Sequence, residues 1–238
     1  MTDAQSNRQP AATDNTSAAA GPVPPASRAA VVGEQPSAVN GVPTVGGSAG
    51  VRARAGDPED WVLVGEQPGF NGFLTVNQRR YRLPDGREVD WDVFGPKTAS
   101  GITSGITVLP LTPEGKVVTI RIFRPGPDQV VTNLPGGLVE PGEDPAVAGV
   151  RELEEETGYT CESFELVSWN WSAASSVYRK YVGIARGCRP DGTQALDEFE
   201  DCVPVELTVD EFRAELRTSG AMTGIDAAYL ALDHAGLL

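Results

Sequence analysis

The pattern of apolar and polar positions divides this chain at about residue 56. Residues 1 to about 56 are dominated by Ala, Pro, Gly, Ser, Thr and Val, hold no aromatic residue and show no sustained period of 2 or 3.6. Such a segment cannot bury enough apolar surface to offset its ordering entropy, so 1–56 is expected to be a disordered tail. From Asp57 the stretch DPEDWVLV brings in aromatic and β-branched residues, and the folded part is expected to start there. Two hairpins follow: 73–82 and 87–94 flank Leu83-Pro84-Asp85-Gly86, and 106–111 and 116–123 flank Thr112-Pro113-Glu114-Gly115. Pro presets φ and Gly accepts positive φ, which gives each turn a mechanism. The second hairpin is expected to be central. Further strands are expected at 129–134, 163–171, 179–185 and 203–207, with a loop at 172–178. Helices are expected at 145–157, closed by Gly158, after Thr208 with Glu211 in the capping-box position, and at 226–235. This order predicts an α/β fold, a mixed sheet with helices on its faces.

Charge and cysteine usage narrow the chemistry. The formal net charge is −14, and the tail is nearly balanced, so the excess lies on the folded part. An acidic domain is a poor general binder of nucleic acid, which demands basic patches. An anionic substrate would need metal ions to neutralise part of that field. Cys161, Cys188 and Cys202 form no CxxC pair, which speaks against a disulfide framework or a zinc site. With His234 the sole histidine, catalysis would have to run on carboxylates. No positively charged start leads into an apolar run, and no stretch of about twenty apolar residues exists, so a soluble, cytoplasmic protein without a membrane partner is expected.

The densest candidate chemistry is Gly136 to Tyr159, GGLVEPGEDPAVAGVRELEEETGY. At about 100° per residue, Val147, Val150 and Leu153 fall on one side of the predicted helix and Glu152, Glu155 and Glu156 on the other. Carboxylates at i, i+3 and i+4 repel one another and, near a helix C-terminus, oppose the macrodipole. Either this face is simply solvated, or a hard divalent cation compensates it and keeps open positions for substrate phosphates. The helix alone leaves both open. The whole stretch, however, reads Gly137, five residues, Glu143, seven residues, Arg151-Glu152-Leu153, one residue, Glu155-Glu156, one residue, Gly158-Tyr159. It resembles the Nudix box, G-x5-E-x7-R-E-U-x-E-E-x-G-U with U bulky and apolar, at every fixed position, with a tyrosine where an aliphatic residue is more usual.

The resemblance covers about 57–238 and implies the Nudix α/β/α sandwich with a mixed β-sheet: a small N-terminal β-segment (57–100), then the Nudix domain (101–238). Phe123-Arg124-Pro125, Leu134-Pro135-Gly136-Gly137 and the acidic loop Asp197-Glu198-Phe199-Glu200 are similar to the ADP-ribose pyrophosphatase branch. Carried over by position, the likeness implies Mg²⁺ or Mn²⁺ held by the Gly136 carbonyl, Glu152, Glu155, Glu156 and Glu200, with Glu198 as catalytic base. Arg151 would serve the catalytic centre and pair with Glu143; Gly137, Glu143 and Gly158 would brace the loop-helix-loop. Arg124 and Arg179 would meet substrate. The implied reaction is hydrolysis of a nucleoside diphosphate linked to another group, ADP-ribose or an ADP-sugar, to AMP and a sugar phosphate, by a homodimer in which the β-segment packs across the partner. Alternatives are a non-catalytic nucleotide sensor, or an enzyme for another nucleotide sugar or coenzyme. Two departures bear on substrate: 172–180 lacks the branch's proline and following acidic residue, and Asn133 stands where glutamate is usual. Trp169, Trp171 and Tyr178 are either base-stacking or packing residues.

Overall fold

The computed structural model describes residues 55, 57–96, 104–198 and 200–238. The expected tail therefore lies, residue 55 apart, outside the described residues, as do 97–103 and Phe199. Strands β1 (Val62–Asn71), β2 (Leu74–Arg82) and β3 (Glu88–Pro96) form an antiparallel sheet. The Pro-Asp-Gly turn joins β2 to β3 in the expected register, with Gly86 at φ 84° and its N–H donating to the Leu83 carbonyl. Ion pairs Arg79–Glu66, Arg80–Asp90 and Arg82–Glu88 cross between strands. β1 runs through 65–71, a stretch the sequence did not mark as a strand. Gly65, Pro68 and Gly69 break the alternation that would have marked it, and every one of its residues is exposed.

The second sheet contains β4 (Ser104–Leu111), β5 (Val117–Arg124), β6 (Gln129–Asn133), β7 (Leu138–Val139), β8 (Ser163–Trp171), β9 (Arg179–Arg186) and β10 (Cys202–Leu207). Its main path is β10-β5-β4-β9-β8, with β6 on β5 and β7 on β4. β4 and β9 are parallel and the other pairs antiparallel, so the sheet is mixed. The hairpin β4–β5 is central, as its near-continuous apolar sequences require of strands buried on both faces.

Helix α1 (Pro145–Thr157) covers one face, where Ile106, Val108, Tyr181 and Ala185 meet Ala148, Leu153 and Tyr159. Helices α2 (Val209–Arg217) and α3 (Ile225–Ala235) cover the other, where Leu109, Val182 and Ile184 meet Phe212, Ala228 and Leu232. The result is a three-layer α/β/α sandwich. Thr208 and Glu211 form the capping box at α2. Among the described residues no helix is long and apolar enough to cross a membrane.

One close approach sets the height of α1 above the sheet. A Cβ on Gly149 would stand 2.4 Å from Cζ of Phe164, and a Cβ on Gly183 would stand 2.3 Å from the same atom. The Phe164 ring thus occupies a slot between helix and strand that only two glycines leave open. The expected core face of α1 needs correction accordingly. Val147 is 51% exposed, whereas Ala148, Gly149, Glu152, Leu153, Glu156 and Thr157 are buried. Periodicity placed the valine inside and the glutamates outside, but the glycine contact rolls the helix so that two carboxylates turn inward.

The three-stranded sheet joins the sandwich at the loop between β8 and β9. Phe94 N–H donates to the Ser175 carbonyl, Val177 N–H donates to Phe94, and the Trp91 indole N–H donates to Ser175 Oγ.

Candidate active site

The helix that carries the glutamates is delimited by local chemistry. Asp144 caps its start by accepting from Ala146 N–H, and Pro145 follows where a missing N–H costs nothing. Gly158, at φ 71°, ends it. Its last carbonyls are claimed by the segment that leads to the acidic loop. Gln194 Nε2 donates to Glu156 O at 2.7 Å, Ala195 N–H to Glu155 O at 2.9 Å, and Gly192 N–H to Gly158 O at 3.0 Å. Satisfying these orphan acceptors ties the chain before Asp197 to the end of α1.

Opposite the helix lies the glycine loop. Gly136 has φ 152°, and a Cβ there would lie 2.0 Å from the Ile106 carbonyl oxygen, so only glycine fits. Its N–H donates to Glu156 Oε2 at 2.7 Å. A Cβ on Gly137 would stand 2.5 Å from the Glu152 carboxyl, and the Gly137 carbonyl accepts from Ile106 N–H. Among the described residues no hydrogen bond reaches the Gly136 carbonyl, which stays available as a ligand.

Arg151 sits amid three carboxylates. Its Nε and Nη2 reach Glu143 at 3.0 and 3.1 Å, its Nη1 reaches Glu152 at 2.8 Å and Glu155 at 2.9 Å, and Nη2 also donates to the Leu138 carbonyl. Hydrogen bonding to Glu143 leads in raising the guanidinium's pKa, against the effect of burial. For Glu143 burial pulls upward, but Arg151 and the Glu140 N–H outweigh it and hold the carboxyl below its ordinary range.

The two inward glutamates both shift the other way. Burial lifts Glu152, with Arg151 opposing and the charges of Glu155 and Glu200 adding to the rise. Burial pushes Glu156 up to about 8, against the Gly136 N–H; Glu152 and Glu200 raise it further and Arg124 lowers it. The acidic loop therefore delivers Glu200 into the field of both carboxylates. Glu198 is exposed and is not among the main charges acting on either. Arg124 is half-buried near Glu156, with no hydrogen bond or ion pair among the described residues.

The remaining sequence candidates are placed as follows. Arg179 stacks over Trp169 and Trp171, 4.9 and 5.4 Å from their ring centroids, with Nε buried and without a hydrogen-bond partner among the described residues. Lys180 pairs with Asp226 at 2.8 Å. Tyr159 is buried and donates to Glu206. Tyr178 lies against Gly105, and burial, then the charge of Glu152, pushes its phenol up to about 12. Gly105 and Gly149 escaped sequence reasoning. For Gly149 a signal existed, since a mid-helix glycine costs about 1 kcal/mol against alanine and calls for a packing reason.

Does this donor set fit a hard divalent cation? Two buried carboxylates held above their ordinary pKa, a neighbouring third, and an unused carbonyl make an all-oxygen set in need of positive charge, which suits Mg²⁺ or Mn²⁺. Among the described residues no three acidic, Cys or His side chains already stand as a closed metal cage; Glu152 and Glu155 are turned to Arg151 instead.

Comparison with known proteins agrees with this geometry. The NUDIX domain model matches residues 102–223. The chain is 38% identical over 156 residues to an ADP-ribose pyrophosphatase of Bacillus subtilis, covering 64% of this chain and 80% of that protein. It is 36% identical over 164 residues to a methanol dehydrogenase activator of Bacillus methanolicus, covering 63% and 89%. A solved ADP compounds hydrolase shares the fold at TM-score 0.63 and 17% identity, over 76% of this chain and 99% of that one. Family match, sandwich and glutamate-bearing helix coincide, and the chain belongs to the Nudix hydrolase family.

Proposed function

We propose that this protein hydrolyses the diphosphate of ADP-ribose or an ADP-sugar, releasing AMP and a sugar phosphate, in the cytoplasm. The observation that carries the reading is the pair Glu152 and Glu156, buried beside Gly136 and Gly137 with Glu200 in their field. The Gly136 carbonyl, Glu152, Glu155, Glu156 and Glu200 would hold Mg²⁺ or Mn²⁺. Such an ion, when bound, polarises phosphoryl oxygens and neutralises their charge. Arg151, anchored on Glu143, keeps the helix carboxylates in place. Arg124, whose side chain makes no hydrogen bond or ion pair among the described residues, would bind a substrate phosphate. Glu198, on the solvent side of the acidic loop, takes the proton of the attacking water as its oxygen bonds to phosphorus and the bridging P–O bond breaks.

The test is turnover of ADP-ribose, ADP-sugars and other nucleoside diphosphate derivatives with Mg²⁺ or Mn²⁺. No turnover of any member overturns the proposal. Loss of activity in Glu155→Gln and Glu156→Gln with full activity in Glu198→Gln would keep the carboxylate centre and remove the assigned base. A second reading, a nucleotide-binding regulator, is favoured by the name of the B. methanolicus relative; binding without turnover would select it.

The three-stranded sheet supports a homodimer. Trp61, Val62, Leu63, Phe70, Phe73 and Leu74 are all exposed, Phe73 at 80%, and so many large apolar side chains left exposed on one small sheet support burial against a second copy. Light scattering should give twice the chain mass; monomer alone would refute the assembly.

A further inference from the structure

The segment between β8 and β9 departs from the branch pattern, yet its end lies beside the glycine loop. Its last residue, Tyr178, precedes β9, whose Arg179 pairs with Ser104 and whose Lys180 pairs with Gly105. Gly105 also pairs with Leu138, the residue that follows the glycine loop. At this crossing the phenol lies across the bare backbone of Gly105. A Cβ there would fall 1.7 Å from the Tyr178 hydroxyl oxygen and 2.8 Å from the Gly137 carbonyl oxygen. The hydroxyl is therefore beside the glycine loop whose next neighbour is the Glu152 carboxyl.

Three features mark this hydroxyl as more than packing. No residue receives its proton among the described residues, although a phenol O–H at a cleft ordinarily finds an acceptor. The strand opposite has no side chain where any side chain would displace it. The backbone that carries the ring is held in place: Tyr178 N–H donates to Ser176 Oγ at 3.0 Å, and the Tyr178 carbonyl accepts from Ser172 N–H at 3.0 Å. The loop is held from the far side by the Phe94 and Trp91 hydrogen bonds to Ser175 and Val177. The nearest protein acceptors are already engaged, the Gly137 carbonyl by Ile106 N–H and the Glu152 carboxyl by Arg151, so the complementary partner for this donor is an acceptor brought by the substrate, a phosphoryl oxygen.

We infer that Tyr178 is a substrate-binding residue, its hydroxyl, seated against the bare backbone of Gly105, donating a hydrogen bond to a phosphoryl oxygen of the bound diphosphate. The inference rests on the proposed diphosphate hydrolysis at the same site. It gives this chain a neutral donor in the loop where the branch pattern places an acidic residue, which adds no further negative charge to an already acidic centre.

The experiment compares wild type, Tyr178→Phe and Gly105→Ala for ADP-ribose turnover with Mg²⁺, and for calorimetric binding of adenosine 5′-(α,β-methylene)diphosphate, which cannot be hydrolysed. Tyr178→Phe keeps the ring and removes only the donor. It should bind the analogue roughly 10- to 100-fold more weakly and lose a similar factor in kcat/KM, as expected for one hydrogen bond to a charged acceptor, with an unchanged melting temperature. Gly105→Ala, which retains the hydroxyl but crowds both it and the Gly137 carbonyl, should lose at least as much. Wild-type affinity and kcat/KM in Tyr178→Phe would overturn the inference while leaving the proposed function intact. Absence of both binding and turnover in wild type would remove both. A lowered melting temperature with unchanged affinity would assign Tyr178 to packing and overturn the inference alone.

Discussion

Glu156 offers a quantitative test of the site in the metal-free protein. Its carboxyl is 2% exposed and is pushed from 4.5 up to about 8, first by burial and then by the charges of Glu152 and Glu200. A carboxyl raised on folding holds its proton longer in the native than in the unfolded chain. Between about pH 4.5 and 8 the native state therefore binds more protons, and stability falls as pH rises, a loss complete once pH exceeds the folded value. The interval of 3.5 pH units sets a ceiling of about 5 kcal/mol, at ~1.4 kcal/mol per unit. Because buried sites respond with an effective dielectric well above that of dry protein, the measured effect should be on the order of 2 kcal/mol. Glu156→Gln removes the titration and keeps an acceptor for the Gly136 N–H. Urea unfolding with EDTA, at about pH 5 and about pH 8.5, should show wild type losing on the order of 2 kcal/mol more than the variant. Parallel losses in the two proteins would refute the reasoning, since Glu156 would then not be protonated in the native state.

Other substitutions probe the scaffold. Gly149→Ala places a methyl group 2.4 Å from Phe164 Cζ and should cost roughly 1–3 kcal/mol of stability by overpacking; Phe164→Leu in the same chain should recover part of it in urea titrations. Arg151→Met strips Glu143, Glu152 and Glu155 of their shared cation. For a half-buried network this should lower stability by about 1–3 kcal/mol in EDTA, and added Mg²⁺ should restore more in the variant than in wild type. Thr208→Ala removes one half of the capping box at α2 and should cost about 1 kcal/mol, read as a lower melting temperature with unchanged kcat/KM.

Much of the fold was legible where local chemistry decides it. Asp144-Pro145 and Gly158 bound α1 at Pro145–Thr157 as expected, and the two Pro-containing turns set both hairpins. Other features depend on partners far away in the chain. The two-residue strand β7 exists only because Leu138 and Val139 lie beside Gly105 and Ser104; no periodicity can mark so short an element. The inward roll of α1 depends on a phenylalanine in β8, so Val147 looked like core from its own helix. At the site, the box spacing identified the carboxylates. Beyond the Arg151–Glu143 pair that the resemblance implied, it did not reveal that Arg151 also binds Glu152 and Glu155, nor that Glu200 acts on the buried pair while Glu198 stays in solvent. The place of the acidic loop follows from how the 192–195 segment closes the helix end.

The Phe164 ring works as a spacer gauge for the reaction centre. Gly149 lies one helical turn before Glu152, and Gly183 lies on the strand beneath. The thickness of one aromatic ring, supplied from outside the box, thus fixes the depth to which Glu152 and Glu156 descend beside Gly136 and Gly137. Replacing that ring with a thinner or thicker side chain would shift the carboxylates relative to the glycine loop without altering any residue of the box. Variation at a position that touches no substrate can therefore tune catalysis by moving the helix as a rigid rod.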